Sequence, residues 1–234
     1  MAKVLVLGPI GATKQDGRSL RLGSPLVQRL VGVLATEAGR PIGWDRLIEV
    51  LWGDSAPDGA TNNLQVYVSR LRNELGRDTI ETSTLGYALA VSVGLDAAEF
   101  ERGLQRARST DLADALVAYD EALALWRGPA FGAFAGEWWA QPSAIRLEEL
   151  RLAAMAERIE VLIALGDAGR AVADSELVLA ADPLKESSVL TRMRALHLSG
   201  RSADALRVAT AFRRRLNEQA GLSASPSLDE PPQR

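Results

Sequence analysis

The chain is predicted to be mainly α-helical, with a small α+β module at its N-terminus and an all-α array of helix pairs after it. Three observations carry this reading. Between Trp44 and Tyr87, an amphipathic helix, a polar turn, a second helix and a short β-hairpin follow in order. Around Val91 to Leu95 the pattern changes, and beyond it the chain is rich in Ala and Leu, with breaks at Gly128-Pro129, Gly166, Asp182-Pro183 and Gly200. Within that stretch Gly166 and Gly200 stand 34 residues apart, as do Ala171 and Ala205. That spacing is the period of tetratricopeptide (TPR) helix pairs.

The elements can be justified in turn. Residues 3–10 and about 18–22 alternate or run apolar around Gly8, Pro9, Gly11 and Gly17, which predicts short antiparallel strands. Ser24 and Pro25 open a helix as N-cap and first-turn proline, with Leu26, Val27, Leu30, Val33 and Leu34 on its apolar face and Gly39 at its end. Pro41 to Gly43 reads as a short strand, Trp44 to Trp52 as a helix, and Asp54 to Gly59 as a turn. Leu64, Val68, Leu71 and Leu75 then recur at i, i+4, i+7 and i+11, one apolar stripe of a further helix. Thr79 to Tyr87 reads as a hairpin. The helix–turn–helix–hairpin order is that of a winged helix, which presents one helix to the major groove of DNA and a hairpin to the flanking backbone.

The outer face of the second helix supports this use. At about 100° per residue, Asn62, Val66, Ser69, Arg70, Asn73 and Arg77 lie opposite the apolar stripe, with Gln65 and Arg72 on its flanks. An ordinary solvated helix carries Glu and Lys in mixed pairs; this one carries amides, a hydroxyl and arginines. Arg suits guanine edges and phosphates, Asn and Gln suit adenine edges, and a valine can meet a thymine methyl. Ser69 and the helix start at Thr61 offer donors to phosphate oxygens.

Those residues also carry a resemblance. Residues 1–92 resemble the OmpR/PhoB-type winged-helix DNA-binding domain through Leu51-Trp52-Gly53, the run Val66-Tyr-Val-Ser-Arg-Leu-Arg72, and the wing ending Leu85-Gly86-Tyr87-Ala88-Leu89. The remainder is similar to the bacterial transcriptional activator domain that follows such a module in Streptomyces antibiotic regulatory proteins. The matching runs are Ala122-Leu-Ala-Leu-Trp-Arg-Gly-Pro-Ala130, Arg146-Leu-Glu-Glu-Leu-Arg-Leu-Ala-Ala-Met-Ala-Glu-Arg158 and Ala164-Leu-Gly166. The resemblance implies a transcriptional activator that binds promoter direct repeats in double-stranded DNA as paired protomers, a homodimer at least on DNA, and contacts RNA polymerase holoenzyme. It places Thr61, Asn62, Asn63, Gln65, Val66, Ser69, Arg70, Arg72, Asn73 and Arg77 at the major groove, and Thr82, Ser83 and Thr84 of the wing at the backbone or minor groove. Asn62, Asn63 and Asn73 stand where relatives often carry basic residues, and Glu81-Thr-Ser-Thr84 has no arginine. Both departures predict weaker binding or a different site.

Composition sets bounds on the alternatives. The 234 residues suffice for two domains, expected at 1–92 and 96–222, with a polar, Pro-rich and disordered tail at 223–234. Relatives often continue into a nucleotide-binding ATPase, whereas Pro231-Pro-Gln-Arg234 reads as a natural tail. Net charge is −3, but residues 1–95 hold ten Lys/Arg against nine Asp/Glu, so the excess acid lies in the second half. There is no cysteine, signal-peptide pattern or long apolar run, which fits a cytoplasmic protein that joins the bacterial nucleoid when bound.

Catalytic chemistry finds no footing. His197 is the single histidine and reads as structural, Gly8 to Lys14 lacks the phosphate-loop spacing, and adjacent acids such as Glu148-Glu149 point apart on a helix. Neither an enzyme nor a cofactor is expected. Two features stay open: Trp138-Trp139 reads as a peptide-binding patch or as an anchor for the insertion after Pro129, and Arg213-Arg-Arg215 as a second DNA contact or a solvated face. A second function also stays open, a TPR-like protein-interaction adaptor whose winged helix does not bind DNA productively.

Overall fold

The computed structural model describes residues 2–14, 16–20, 22–225 and 228. The chain opens with three short strands, β1 (Lys3–Leu5), β2 (Gly11–Thr13) and β3 (Ser19–Leu20). Helix α1 follows (Pro25–Thr36), started by Ser24, whose Oγ accepts the Val27 N–H at 3.4 Å, with Pro25 in the first turn. Strand β4 (Ile42–Gly43) leads into α2 (Trp44–Trp52) and, after a polar turn, α3 (Ala60–Leu75). The hairpin β5 (Ile80–Thr82) and β6 (Gly86–Leu89) comes next, then β7 (Gly94–Leu95).

Two sheets result. The first has the order β3-β2-β1-β7, antiparallel except for the parallel pair β1 and β7; the second has the order β4-β6-β5. Gly11 is therefore part of a strand, where the sequence suggested a connection: only a five-residue link separates β1 from β2, and the pairing of Val4 with Ala12 decides the register. Leu30, Val33 and Leu34 of α1, Leu47 and Leu51 of α2, and Leu64, Val68 and Leu71 of α3 are buried. Each such side chain contributes about 1.5–3 kcal/mol on burial.

The rest is helical: α4 (Asp96–Arg108), α5 (Leu112–Ala124), α6 (Gln141–Ala164), α7 (Ala168–Ala181), α8 (Glu186–Leu198) and α9 (Ser202–Ala220). Asp167 caps α7 by accepting the Arg170 N–H at 3.1 Å, and Asp111 accepts from Ala113 and Asp114 at the start of α5.

The chain divides into two compact units, the first of which runs past residues 92–96 and takes in a later segment. One unit joins the chain up to Arg102 to Ala124–Glu149; the other joins Gly103–Leu123 to the chain from Leu150 onward. The reason is hydrogen bonding to the segment after β1. The buried Asp96 carboxylate accepts the N–H groups of Val6 (2.8 Å) and Leu7 (3.1 Å). The Phe131 N–H donates to Val6 O (2.7 Å) and the Arg127 N–H to Leu7 O (2.8 Å). The Arg127 guanidinium completes this arrangement at 3.2 Å from Asp96.

The insertion packs on α1 of the winged helix. Trp139 is 3% exposed, against Phe131 (6.0 Å between centroids), Phe134 (6.1 Å) and α1. A Cβ at Gly32 would stand only 2.8 Å from its Cη2. Arg29 of α1 binds Glu137 at 2.7 Å, and Glu137 accepts the Trp139 indole N–H at 2.7 Å. Trp138 is 52% exposed, so the two neighbouring tryptophans play different parts.

In the helical unit, α7 packs on α8 and α8 on α9. Val189, Met193, Leu196, Phe212 and Leu216 form one apolar cluster; Ile159, Leu162, Ala171, Val178 and Ala195 form another. Of the tail expected to be disordered, residues 223–225 and 228 are described. Leu228 is 1% exposed within the first cluster, and the Ser225 N–H donates to Glu186 at 3.2 Å. The tail's residues 226, 227 and 229–234 lie outside the described residues. His197 meets the Ser202 hydroxyl at 3.0 Å, and Arg215 reaches the Pro183 carbonyl at 3.5 Å.

Candidate nucleic-acid interface

Helix α3 exposes the face read from its sequence. Its apolar stripe, Leu64, Val68, Leu71 and Leu75, is buried, while Thr61, Asn62, Asn63, Gln65, Val66, Ser69, Arg70 and Asn73 are exposed. Val66 is 62% exposed, an aliphatic group held in solvent on an otherwise polar face. Trp52 at the end of α2 stacks on Tyr67 at 6.1 Å and so fixes α3 against α2.

The two arginines of α3 do different things. Arg70 forms no ion pair among the described residues, though its charge helps to lower the Glu74 carboxyl. Glu74, one turn later, is held by Lys14 at 2.9 Å, and the hydrogen bond and charge of Lys14 pull its carboxyl below the ordinary range. Arg70 Nη2 lies 3.7 Å from the place a Cβ at Gly23 would take. Arg72 is half-buried and turned to the hairpin. Its Nε and Nη2 donate to Ile80 O (2.9 and 2.6 Å), and Nη2 also donates to Thr82 Oγ1 (2.8 Å). Its guanidinium lies 5.8 Å from the centre of the Tyr87 ring, which Trp44 meets edge-on at 4.6 Å. Burial raises the Tyr87 phenol, against the nearby Arg72 charge.

Arg77 is not on α3. The helix ends at Leu75, Gly76 turns the backbone with φ +123°, and Arg77 begins a 3-10 turn, exposed. The sequence phase carried it one residue past a glycine whose conformation a helix cannot continue.

In the wing, Thr84 and Leu85 are exposed at the tip and Thr82 is exposed but bonded to Arg72. Ser83 serves the turn itself: its Oγ accepts from the N–H groups of Leu85 and Gly86, both at 3.2 Å. Gly86 must be glycine, because a Cβ there would lie 1.8 Å from Ile42 O across the β4–β6 pair. The structure thus gathers Thr61, Asn62, Asn63, Gln65, Val66, Ser69, Arg70 and Asn73 on one face, turns Arg72, Thr82 and Ser83 to internal work, and moves Arg77 to a separate turn. The Lys14–Glu74 pair was not read from the sequence; nothing local signals a contact sixty residues apart.

Among the described residues, no group of three or more His, Cys, Asp or Glu could hold a metal ion, and no helix is long and apolar enough to cross a membrane.

Residues 18–89 match the family described as transcriptional regulatory protein, C terminal, and residues 95–233 match the bacterial transcriptional activator domain. The chain is 34% identical to the regulatory protein AfsR of Streptomyces griseus, over 98% of this chain and 24% of that protein. It is 32% identical to the transcriptional regulator RedD of Streptomyces coelicolor, over 94% of this chain and 66% of the relative. The solved structure of Mycobacterium tuberculosis EmbR in complex with a low-affinity phosphopeptide matches with a TM-score of 0.86 at 28% identity, covering 97% of this chain and 63% of that one. The chain therefore spans about a quarter of AfsR and three-fifths of EmbR. The two matched families, adjacent in one chain and shared with named transcriptional regulators, show that it belongs to the Streptomyces antibiotic regulatory protein family, which joins an OmpR/PhoB-type winged helix to a bacterial transcriptional activator domain.

Proposed function

We propose that this chain is a sequence-specific DNA-binding activator of transcription. It binds promoter direct repeats as paired protomers through α3 and the wing, and contacts RNA polymerase holoenzyme. The observation that carries this reading is the exposed face of α3, where three asparagines, a glutamine, two hydroxyls, Val66 and Arg70 present base-edge and phosphate chemistry, and the one carboxylate beside them, Glu74, is held by Lys14. Exposed leucines on the helical unit, Leu177 (61%) and Leu206 (58%), support a protein-contacting role there. The protein acts in the cytoplasm, on the nucleoid when bound.

Selection from a random-sequence duplex pool at two salt concentrations tests this. A repeated short motif spaced by about one helical turn supports tandem protomers. Failure of folded protein to enrich any motif at either salt refutes the DNA reading and leaves the interaction adaptor.

A further inference from the structure

We infer that Arg72 is a positioning residue that clamps the wing to α3, and that Arg70 is the one arginine of α3 left to read a guanine. This inference rests on the DNA-binding reading above.

The geometry divides the labour. All the polar reach of Arg72 that the structure shows is spent inside the domain: two bonds to Ile80 O, one to Thr82 Oγ1, and the face of Tyr87. A planar guanidinium can hold the carbonyl, the hydroxyl and the ring together, which the single ammonium of a lysine cannot. Tyr87 sits on β6, whose Gly86 pairs with Gly43 at the start of α2, and Trp44 closes on the same ring. The clamp therefore ties both ends of the hairpin to the helices, so the wing need not be ordered when DNA arrives. Arg70 is the opposite case. Lys14 occupies Glu74, and Arg70 stands exposed among amides and hydroxyls.

The salt response separates the two roles. A cation that meets phosphate or base edge releases counterions, and removing it lowers the salt slope of binding by about one. The wing residues Glu81, Thr82, Ser83, Thr84 and Leu85 include no cation, so loosening the wing leaves the slope where it was.

The experiment uses the full chain, the motif enriched by it, and the variants Arg70→Ala and Arg72→Lys. Arg72→Lys keeps a cation for any phosphate but not the fork. The expected result is a loss of roughly tenfold on every sequence, from the cost of ordering a loosened wing, with an unchanged salt slope and faster amide exchange in Ile80–Leu89. Arg70→Ala is expected to relax one guanine position by roughly 5- to 150-fold and leave wing exchange unchanged. Thr82→Val weakens the same clamp more gently and loosens the wing in the same direction, whereas Thr82→Ser keeps the hydroxyl and restores it. Wild-type affinity for Arg72→Lys, unchanged wing exchange, or relaxation of a base position by it overturns the inference while the regulator reading stands. If the wild-type chain enriches no motif, the regulator reading fails, and wing exchange in Arg72→Lys still decides whether the clamp exists.

Discussion

Replacing Trp139 should unfold the DNA-binding module, although it lies fifty residues beyond the wing. The ring is 3% exposed, packed against Phe131, Phe134 and α1, while its neighbour Trp138 is 52% exposed. Removing a buried tryptophan costs about 3–5 kcal/mol through lost burial and the cavity left behind. The indole N–H bond to Glu137 adds little to this, because Glu137 keeps Arg29 as a partner. At about 3 °C per kcal/mol for a chain of this size, Trp139→Ala should lower Tm by roughly 10–15 °C. Trp138→Ala should shift it by less than about 2 °C. Circular dichroism on melting gives the size of the effect, and hydrogen exchange locates it, with α1 and β1 amides losing protection first. A loss under about 1 kcal/mol for Trp139→Ala, or lost protection confined to α7–α9, would refute the assignment of the insertion to the winged-helix unit.

Four further outcomes follow from the same structure. Asp96→Ala strands the buried N–H groups of Val6 and Leu7 and should cost about 3 kcal/mol in urea unfolding. Gly86→Ala places a methyl carbon 1.8 Å from Ile42 O; it should break the β4–β6 pair and abolish DNA binding, read as lost protection at Tyr87 and lost mobility shift. In the helical unit, burial pushes Glu157 up, but hydrogen bonds from Arg108 and Tyr119 hold its carboxyl below the usual range overall. Its stabilisation is thus present above the unfolded-state pKa and lost as pH falls through the lower folded value, so Glu157→Gln should flatten the acid limb of a stability–pH profile. The same cluster pushes the Tyr119 phenol up to about 12, chiefly by burial and then by Glu157, so Tyr119 should ionise late in an ultraviolet titration.

What the sequence made legible was local. The four-residue rhythm from Leu64 to Leu75, the Ser24-Pro25 helix start and the glycine spacing in the repeats each depend on neighbours within a turn or two, and each appears in the structure. The outer face of α3 was legible for the same reason. The fate of Arg72 was not: a helical wheel puts it on a flank, and only the hairpin decides that it turns inward. Arg77 was misplaced because periodicity alone does not register that Gly76 ends the helix. Asp96 was not singled out, because its partners lie some ninety residues away. The tryptophan pair read as a peptide-binding patch or an anchor of the insertion against the helices, and no local pattern named α1 as the helix that Trp139 meets.

The discontinuous winged-helix unit has a consequence for how the protein is made. A ribosome delivers the chain from its N-terminus at about 5–20 residues per second, so about 2–10 s pass between synthesis of Arg102 and of Glu149. During that interval the surface that Trp139 and Phe131 later cover is bare, and the carbonyls of Val6 and Leu7 still lack the N–H groups of Phe131 and Arg127. The nascent regulator therefore completes its DNA-binding module only after part of its helical array has been made. A promoter meets the finished surface after translation has passed the insertion, and a message truncated after the wing yields a chain without the groups that finish its core.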